Sequence, residues 1–198
     1  MTSAQLPTAS NPPPLRLIRS ADQLPMPWKN GGGVTTEIAA SPAGSSLDTF
    51  EWRVSRAQVA ADGPFSLFPG IDRTLVVLSG GGMVLDVAGG APHELRPLET
   101  PFVFPGELGI HARLLAGPTR DFNVMTRRTL FSHRLTVLAS GIRKQVTRTP
   151  TTRVFVHVLA GEAWGAEAGD SVLVPAGETS TFDVAEQAQV IVVELCEV

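Results

Sequence analysis

Apolar and polar positions alternate with a period of two through most of the chain, in short runs closed by Gly, Pro or Asp. Such alternation marks half-buried strands, because successive side chains leave opposite faces of a pleated backbone. FEWRVSRA, RTLVVLSG, MVLDVAG, FVFPG, ARLLAG, DFNVMTRR, RVFVHVLAG, DSVLVPAG and AQVIVVEL all read as strands. LRLI, from Leu15 to Ile18, reads as the first of them. No segment sustains helical periodicity; around Ala21 to Leu24, the stretch SADQL with its Ser cap suits one short helical turn. Many short strands separated by turn residues predict an all-β sandwich or barrel.

The order of these segments repeats. LVVLSG, FVFPGE and FNVM in the first half have counterparts in VHVLAG, VLVPAGE and VIVVEL in the second. Two related β units in tandem account for this, with chance similarity among β-rich segments as the alternative. The units are expected over residues 14–130, with the ligand pocket, and 131–198. Residues 1–13 hold Pro, Ser, Thr and Asn with few apolar groups and are expected to form a disordered tail.

Composition narrows the function. The 198 residues are 43% hydrophobic and 18% charged, a globular balance, and the net charge is −3. No basic stripe offers itself to a phosphate backbone, so nucleic acid is not an expected partner. The start of the chain lacks a signal-peptide pattern and no apolar run is long enough to span a bilayer, so a cytoplasmic protein without a membrane partner is expected. The sole cysteine, Cys196, cannot form an internal disulfide. The sequence admits a homodimer.

Strand parity then selects candidate contacts. On the strand from Glu51 to Arg56, Trp52, Val54 and Arg56 share one face; Glu51, Arg53 and Ser55 share the other. An Arg and a Ser two apart on a lumen face suit a carboxylate, which accepts two parallel bonds from a guanidinium. In DFNVMTRR, Asp121, Asn123, Met125 and Arg127 fall together; Arg127 also reads as a solvated strand end beside Arg128. Near the start, MPWKNGGG places Trp28, Lys29 and Asn30 against three glycines. Either the glycines let backbone amides approach an anion, with Lys29 and Asn30 at the pocket mouth and Trp28 as its wall, or the loop only covers the barrel end. Arg73, after Pro69 and Gly70, is a further anion-gripping candidate or half of an ion pair with Asp72.

Other chemistries fit less well. The histidines at 93, 111, 133 and 157 are scattered and none forms an H-x-H pair, so no metal and no cofactor are expected, His111 being the single residue placed for a lone ligand. Ser66 is outside a nucleophile elbow, and neither NGGG nor SGGG matches a phosphate-binding loop.

GDSVLVPAG, from Gly169 to Gly177, resembles the second motif of a cupin, although a metal-binding cupin would carry a His within the following TSTF. MPWKNGGGVTTEIA, FEWRVSRAQVAADGPFSLFPGIDRTLVVLSGGG and DFNVMTRR together resemble the HutD/Ves family of bicupins over residues 15–198. The resemblance implies two cupin-like jelly-roll units and a non-enzymatic role linked to histidine utilisation and its regulation. It also implies a small acidic ligand of the formylglutamate or urocanate type. The alternative is a metal-independent isomerase or hydrolase acting on such an acid, with Glu37, Glu51 or His111 as general base.

Overall fold

Alternating side chains need two environments to fill, and here each large sheet has one face against each of two cores. The computed structural model describes residues 15–28, 31–142, 144–184 and 188–198. The first half runs β1 (Arg16–Ile18), β2 (Pro25–Pro27), β3 (Gly33–Ser41), β4 (Trp52–Val59), β5 (Gly63–Pro64) and β6 (Ile71–Gly80). It continues with β7 (Met83–Val87), β8 (His93–Leu95), β9 (Phe102–Pro105), β10 (Ile110–Leu114) and β11 (Thr119–Arg127). The second half holds β12 (Phe131–Leu138), β13 (Lys144–Arg148), β14 (Thr152–Ala160) and β15 (Glu162–Ala163). It ends with β16 (Ala166–Glu167), β17 (Ser171–Val174), β18 (Ser180–Val184) and β19 (Gln189–Glu197). The helical turn expected near Ala21 is a single 3-10 turn, Ser20–Asp22.

A six-stranded sheet, ordered β2-β3-β4-β11-β6-β9, faces a four-stranded one, β5-β10-β7-β8. Between them lie Val59, Leu75, Val77, Met83, Leu85, Leu95, Phe104, Ile110 and Ala112, the interior of the first unit. The opposite face of the six-stranded sheet presents Trp52, Val54, Phe122 and Val124 to Phe155, Leu173, Ile191, Val193 and Leu195. Those belong to a five-stranded sheet, β1-β17-β14-β19-β12. Its far face encloses a second interior, where Val154, Val156, Val158, Val172 and Val192 meet Val146, Ala163 and Ala166 of the small β13-β18 and β15-β16 ladders. The chain is all-β with a cupin-like jelly-roll architecture, built as stacked antiparallel layers.

One strand crosses the expected boundary. The sequence reading puts Arg16–Ile18 in the first unit, from residue 14, but β1 pairs with β17 of the second half, Leu17 opposite Val172. The segment after it is fastened there too: the Ser20 amide donates to Asp170 Oδ1 at 2.7 Å and Arg19 Nη1 to Oδ2 at 2.8 Å. Burial works against the charge of Asp170, yet the amide of Ser20, the guanidinium of Arg19 and the amide of Glu167 bring its pKa down to about 2. The Asp of the cupin-like motif therefore ties the N-terminal strand down.

Two histidines sit where the halves meet. His133 of β12 bridges Thr74 Oγ1 at 2.8 Å and Thr126 Oγ1 at 2.7 Å. His157 of β14 bonds Ser171 Oγ at 2.9 Å and stacks on Phe122, ring centroids 5.2 Å apart. Burial pushes them down to about 4 and about 3, so both are neutral spacers.

Candidate functional site

The inward face of the six-stranded sheet carries polar groups where a core would take aliphatic ones. Cross-strand register sets them in rows. Glu37, Ser55, Asn123 and Leu75 lie side by side on β3, β4, β11 and β6. In the next inward row Arg53 and Arg73 flank Met125, with Phe104 beyond Arg73. On the other side Asp121 lies between Ala57 and Val77. Adjacent strands are about 4.8 Å apart, so the two arginines leave the sheet roughly 10 Å from one another. Arg53, Ser55, Arg73, Asp121 and Asn123 are all buried, none more than 8% exposed.

Their bonding is lopsided. Arg53 Nε donates to Glu37 Oε2 at 2.8 Å, at the more open side of the cluster, and Nη1 reaches Ser55 Oγ at 3.4 Å. Arg73 is packed over Phe65, Phe68 and Phe104, its guanidinium carbon 4.9 to 5.4 Å from the ring centroids. Its Nη1 reaches the Ser66 carbonyl at 3.3 Å, while its Nε and Asn123 Oδ1 are buried with no partner in the protein. A buried donor or acceptor left unpaired costs about 1–3 kcal/mol, more on a charged group. Arg73 is thus primed to donate to an oxygen, and Asn123 to accept from a donor.

Charge in this interior is held at a cost. Burial lowers the Arg73 pKa to about 10, with Asp121 opposing and Arg53 reinforcing the shift. Burial raises Asp121 to about 7 despite the pull of Arg73. A buried acid raised toward neutrality, in the field of a guanidinium with a spare N–H, marks this interior as the candidate functional site.

Strand parity predicts a shared face for Arg53 and Ser55 and another for Asn123, and the structure turns these residues inward on the six-stranded sheet. Arg53, Ser55, Arg73 and Asn123 converge in the first interior. Trp28 is half-buried at its edge, packing on the same apolar cluster and donating Nε1–H to Thr35 Oγ1 at 2.7 Å. Lys29 and Asn30 lie outside the described residues. Arg127 is not with the others: its Nε donates to the Phe50 carbonyl and its Nη2 to that of Asp48, at 3.2 and 2.9 Å. Arg127 follows the inward row past the end of the interior, where loop carbonyls are the nearest acceptors. Asp72 pairs with Arg128 instead of Arg73, its sequence neighbour, because adjacent strand residues face opposite ways.

The candidate bases separate as well. Glu37 is at the site on Arg53, whereas Glu51 accepts from Ser41 Oγ at 2.8 Å. His111 is exposed on the outer face of its sheet, opposite Asp86. Asp121 is the residue that sequence reasoning missed as a site member. Its parity with Asn123 was the available signal; the burial that makes it reactive was not visible. Among the described residues no group of three His, Cys, Asp or Glu could hold a metal ion. Within TSTF, Ser180 accepts from Arg148 Nε at 2.8 Å.

Similarity to known proteins bears on the fold and the family. A Pseudomonas putida protein described as an uncharacterised 21.2 kDa protein in the hutC 3′ region is 45% identical over 111 residues. That match covers 56% of this chain and 57% of the relative, so the chain spans little more than half of the relative's length. The structure of HutD from Pseudomonas fluorescens SBW25, in a formate condition, superposes with a TM-score of 0.81 at 33% identity, covering 93% of this chain and 100% of that one. A conserved protein of unknown function from Pseudomonas aeruginosa PAO1 gives 0.80 at 34% identity, over 92% and 99% of the two chains. An oxalate decarboxylase from Bacillus subtilis, 10% identical with a TM-score of 0.61 over 96% of this chain and 78% of that one, shares the cupin-like fold alone. The family model described as HutD matches residues 20–192, and the chain belongs to the HutD family.

Proposed function

We propose that this protein binds a small carboxylate metabolite of histidine utilisation in the first interior, without turning it over, and acts in the regulation of that pathway from the cytoplasm. The carrying observation is the buried pair of guanidiniums flanking Met125, one of them with an unpartnered Nε. A guanidinium shielded from water selects carboxylates because its N–H groups match both oxygens. The apolar remainder of the interior suits a short carbon chain. The link to histidine rests on the HutD family and on the hutC designation of the P. putida relative.

Calorimetry with formylglutamate, urocanate and glutamate tests this reading. At least one should bind, and Arg53→Ala or Arg73→Met should each weaken it tenfold or more, in line with the ~1.5 to 3 kcal/mol of a charged hydrogen bond. Heats equal to dilution for all three acids would refute the proposal. One observation favours a second reading, a metal-independent enzyme acting on the same acid. Asp121, titrating near neutrality, is better suited as general base than Glu37, Glu51 or His111. Turnover of one of these acids, lost in Asp121→Asn, would decide for it.

A further inference from the structure

Among the described residues around the candidate site, each cation already has an anion acting on it before a ligand enters. Glu37 holds Arg53 from the open side, and Arg73 is the cation that acts on Asp121. Asp121 is 3% exposed and faces inward between Ala57 and Val77, so water cannot stabilise its charge. Among the described residues, the charged groups facing this interior beside Asp121 are Arg73 from β6, Arg53 from β4 and Glu37 from β3. The strands packed opposite, β7, β8 and β10, turn Met83, Leu85, Leu95, Ile110 and Ala112 toward it, none of them titratable.

A carboxylate entering this interior meets its best donor at Arg73 Nε, a buried N–H of a charged group with no partner among the described residues. There it draws on the guanidinium whose charge acts on Asp121. Two carboxylates sharing a cation in a medium of low dielectric do not both stay ionised. The exposed side of the cluster offers Glu37 an exit to solvent, but Glu37 belongs to Arg53. Asp121 has no such exit, and neutralisation is its only relief.

We propose that the interior takes its carboxylate guest together with one proton, and that Asp121 is the residue that holds it. This inference rests on the carboxylate reading of the site. The proton comes from solvent and forms an O–H bond on one carboxylate oxygen of Asp121. No bond in the guest breaks, and the guest's negative charge replaces that of Asp121, leaving the net charge of the interior unchanged. The marginal ionisation of Asp121 in the empty site, near neutral pH, means that little is needed to drive the uptake. A neutral carboxyl also brings a hydrogen-bond donor to the face where Asn123 Oδ1, two residues along β11, lacks one. Asp121 is thus a specificity-determining residue: it admits an anion by giving up its own charge.

Proton-linked binding is read by calorimetry of the full chain in buffers of different ionisation enthalpy, with sodium formate and with formylglutamate as probes. Neither probe titrates near neutrality, so any proton taken up belongs to the protein. The apparent binding enthalpy should vary with the buffer, corresponding to nearly one proton per guest at about pH 8 and close to none at about pH 6. Affinity should fall by up to about tenfold per pH unit above about pH 7. In Asp121→Asn the buffer dependence should vanish and binding near pH 8 should become tighter than in the natural sequence. Infrared difference spectra of protein carrying isotope-labelled aspartate give an answer that does not need the variant to fold. A protonated carboxyl band must grow as guest is added, and its absence overturns the proposal. Binding whose enthalpy is the same in every buffer near pH 8 overturns it too, while leaving the carboxylate reading in place. An absence of heat with both probes overturns the two together.

Discussion

Asp121 and the two interface histidines give the chain opposite responses to pH. The folded pKa of Asp121 is raised from 3.8 to about 7, so between these values the native state keeps a proton that the unfolded chain has released. Its contribution to stability is complete below the unfolded value and is lost as pH rises through the folded one, a change of a few kcal/mol at most. His133 and His157 are depressed from 6.5 to about 4 and about 3. Their contributions are present above the unfolded value and are lost as pH falls through the folded ones. Denaturant midpoints should therefore show Asp121→Asn gaining on the natural sequence between about pH 5 and about pH 8. An advantage that is the same at both pH values would contradict the burial argument. At this scale the sequence made Arg53, Ser55 and Asn123 legible, because alternation alone tells which side chains share a face. The pairing of Arg53 with Glu37, and the placing of Arg73 where its charge acts on Asp121, depend on four strands lying in register. Nothing local in the sequence encodes that.

Strand β11 is the element on which both functions of the six-stranded sheet meet. Its odd positions, Asp121, Asn123 and Met125, line the site, and its even ones, Phe122 and Val124, pack against the second half. Phe122→Ala would open a cavity beside Phe155 and His157 and should cost about 3–5 kcal/mol, read as a lowered unfolding midpoint. The turn between β2 and β3 shows why MPWKNGGG ends as it does. Gly31 adopts a φ of +71°, open to glycine at little cost. At Gly33 a Cβ would come within 2.5 Å of the Gln58 carbonyl and 3.0 Å of the Trp28 ring. Gly33→Ala should therefore displace Trp28 from Thr35, lowering stability and shifting the tryptophan emission; an unchanged spectrum and midpoint would show that the close approach is not needed. Trp28 packs on the apolar cluster of the first interior and hydrogen-bonds Thr35 at its edge. The strand LRLI is legible from its alternation, but its partner β17 lies in the other half of the chain, so the pattern could not show which half it joins.

For the whole molecule, the outer face of the six-stranded sheet is the inner face of the fold. Trp52, Val54, Phe122 and Val124 are buried only because the five-stranded sheet covers them, and β1 crosses to the second half. Residues 1–130 and 131–198, expressed separately, should aggregate or fail to unfold cooperatively; two soluble, independently folding pieces would contradict the shared core. No helix among the described residues is long and apolar enough to cross a membrane. The two interiors differ in character: valine and alanine with Leu138, Trp164 and Phe182 make up the second, while the first combines an apolar wall with buried arginines. The account turns on that difference. The most direct test is a crystal structure of the protein grown with formylglutamate. It should show a carboxylate of the guest within about 3 Å of Arg73 Nε and lying between that residue and Arg53. A first interior closed over Arg73, with the guest absent or held only at the surface, would contradict it.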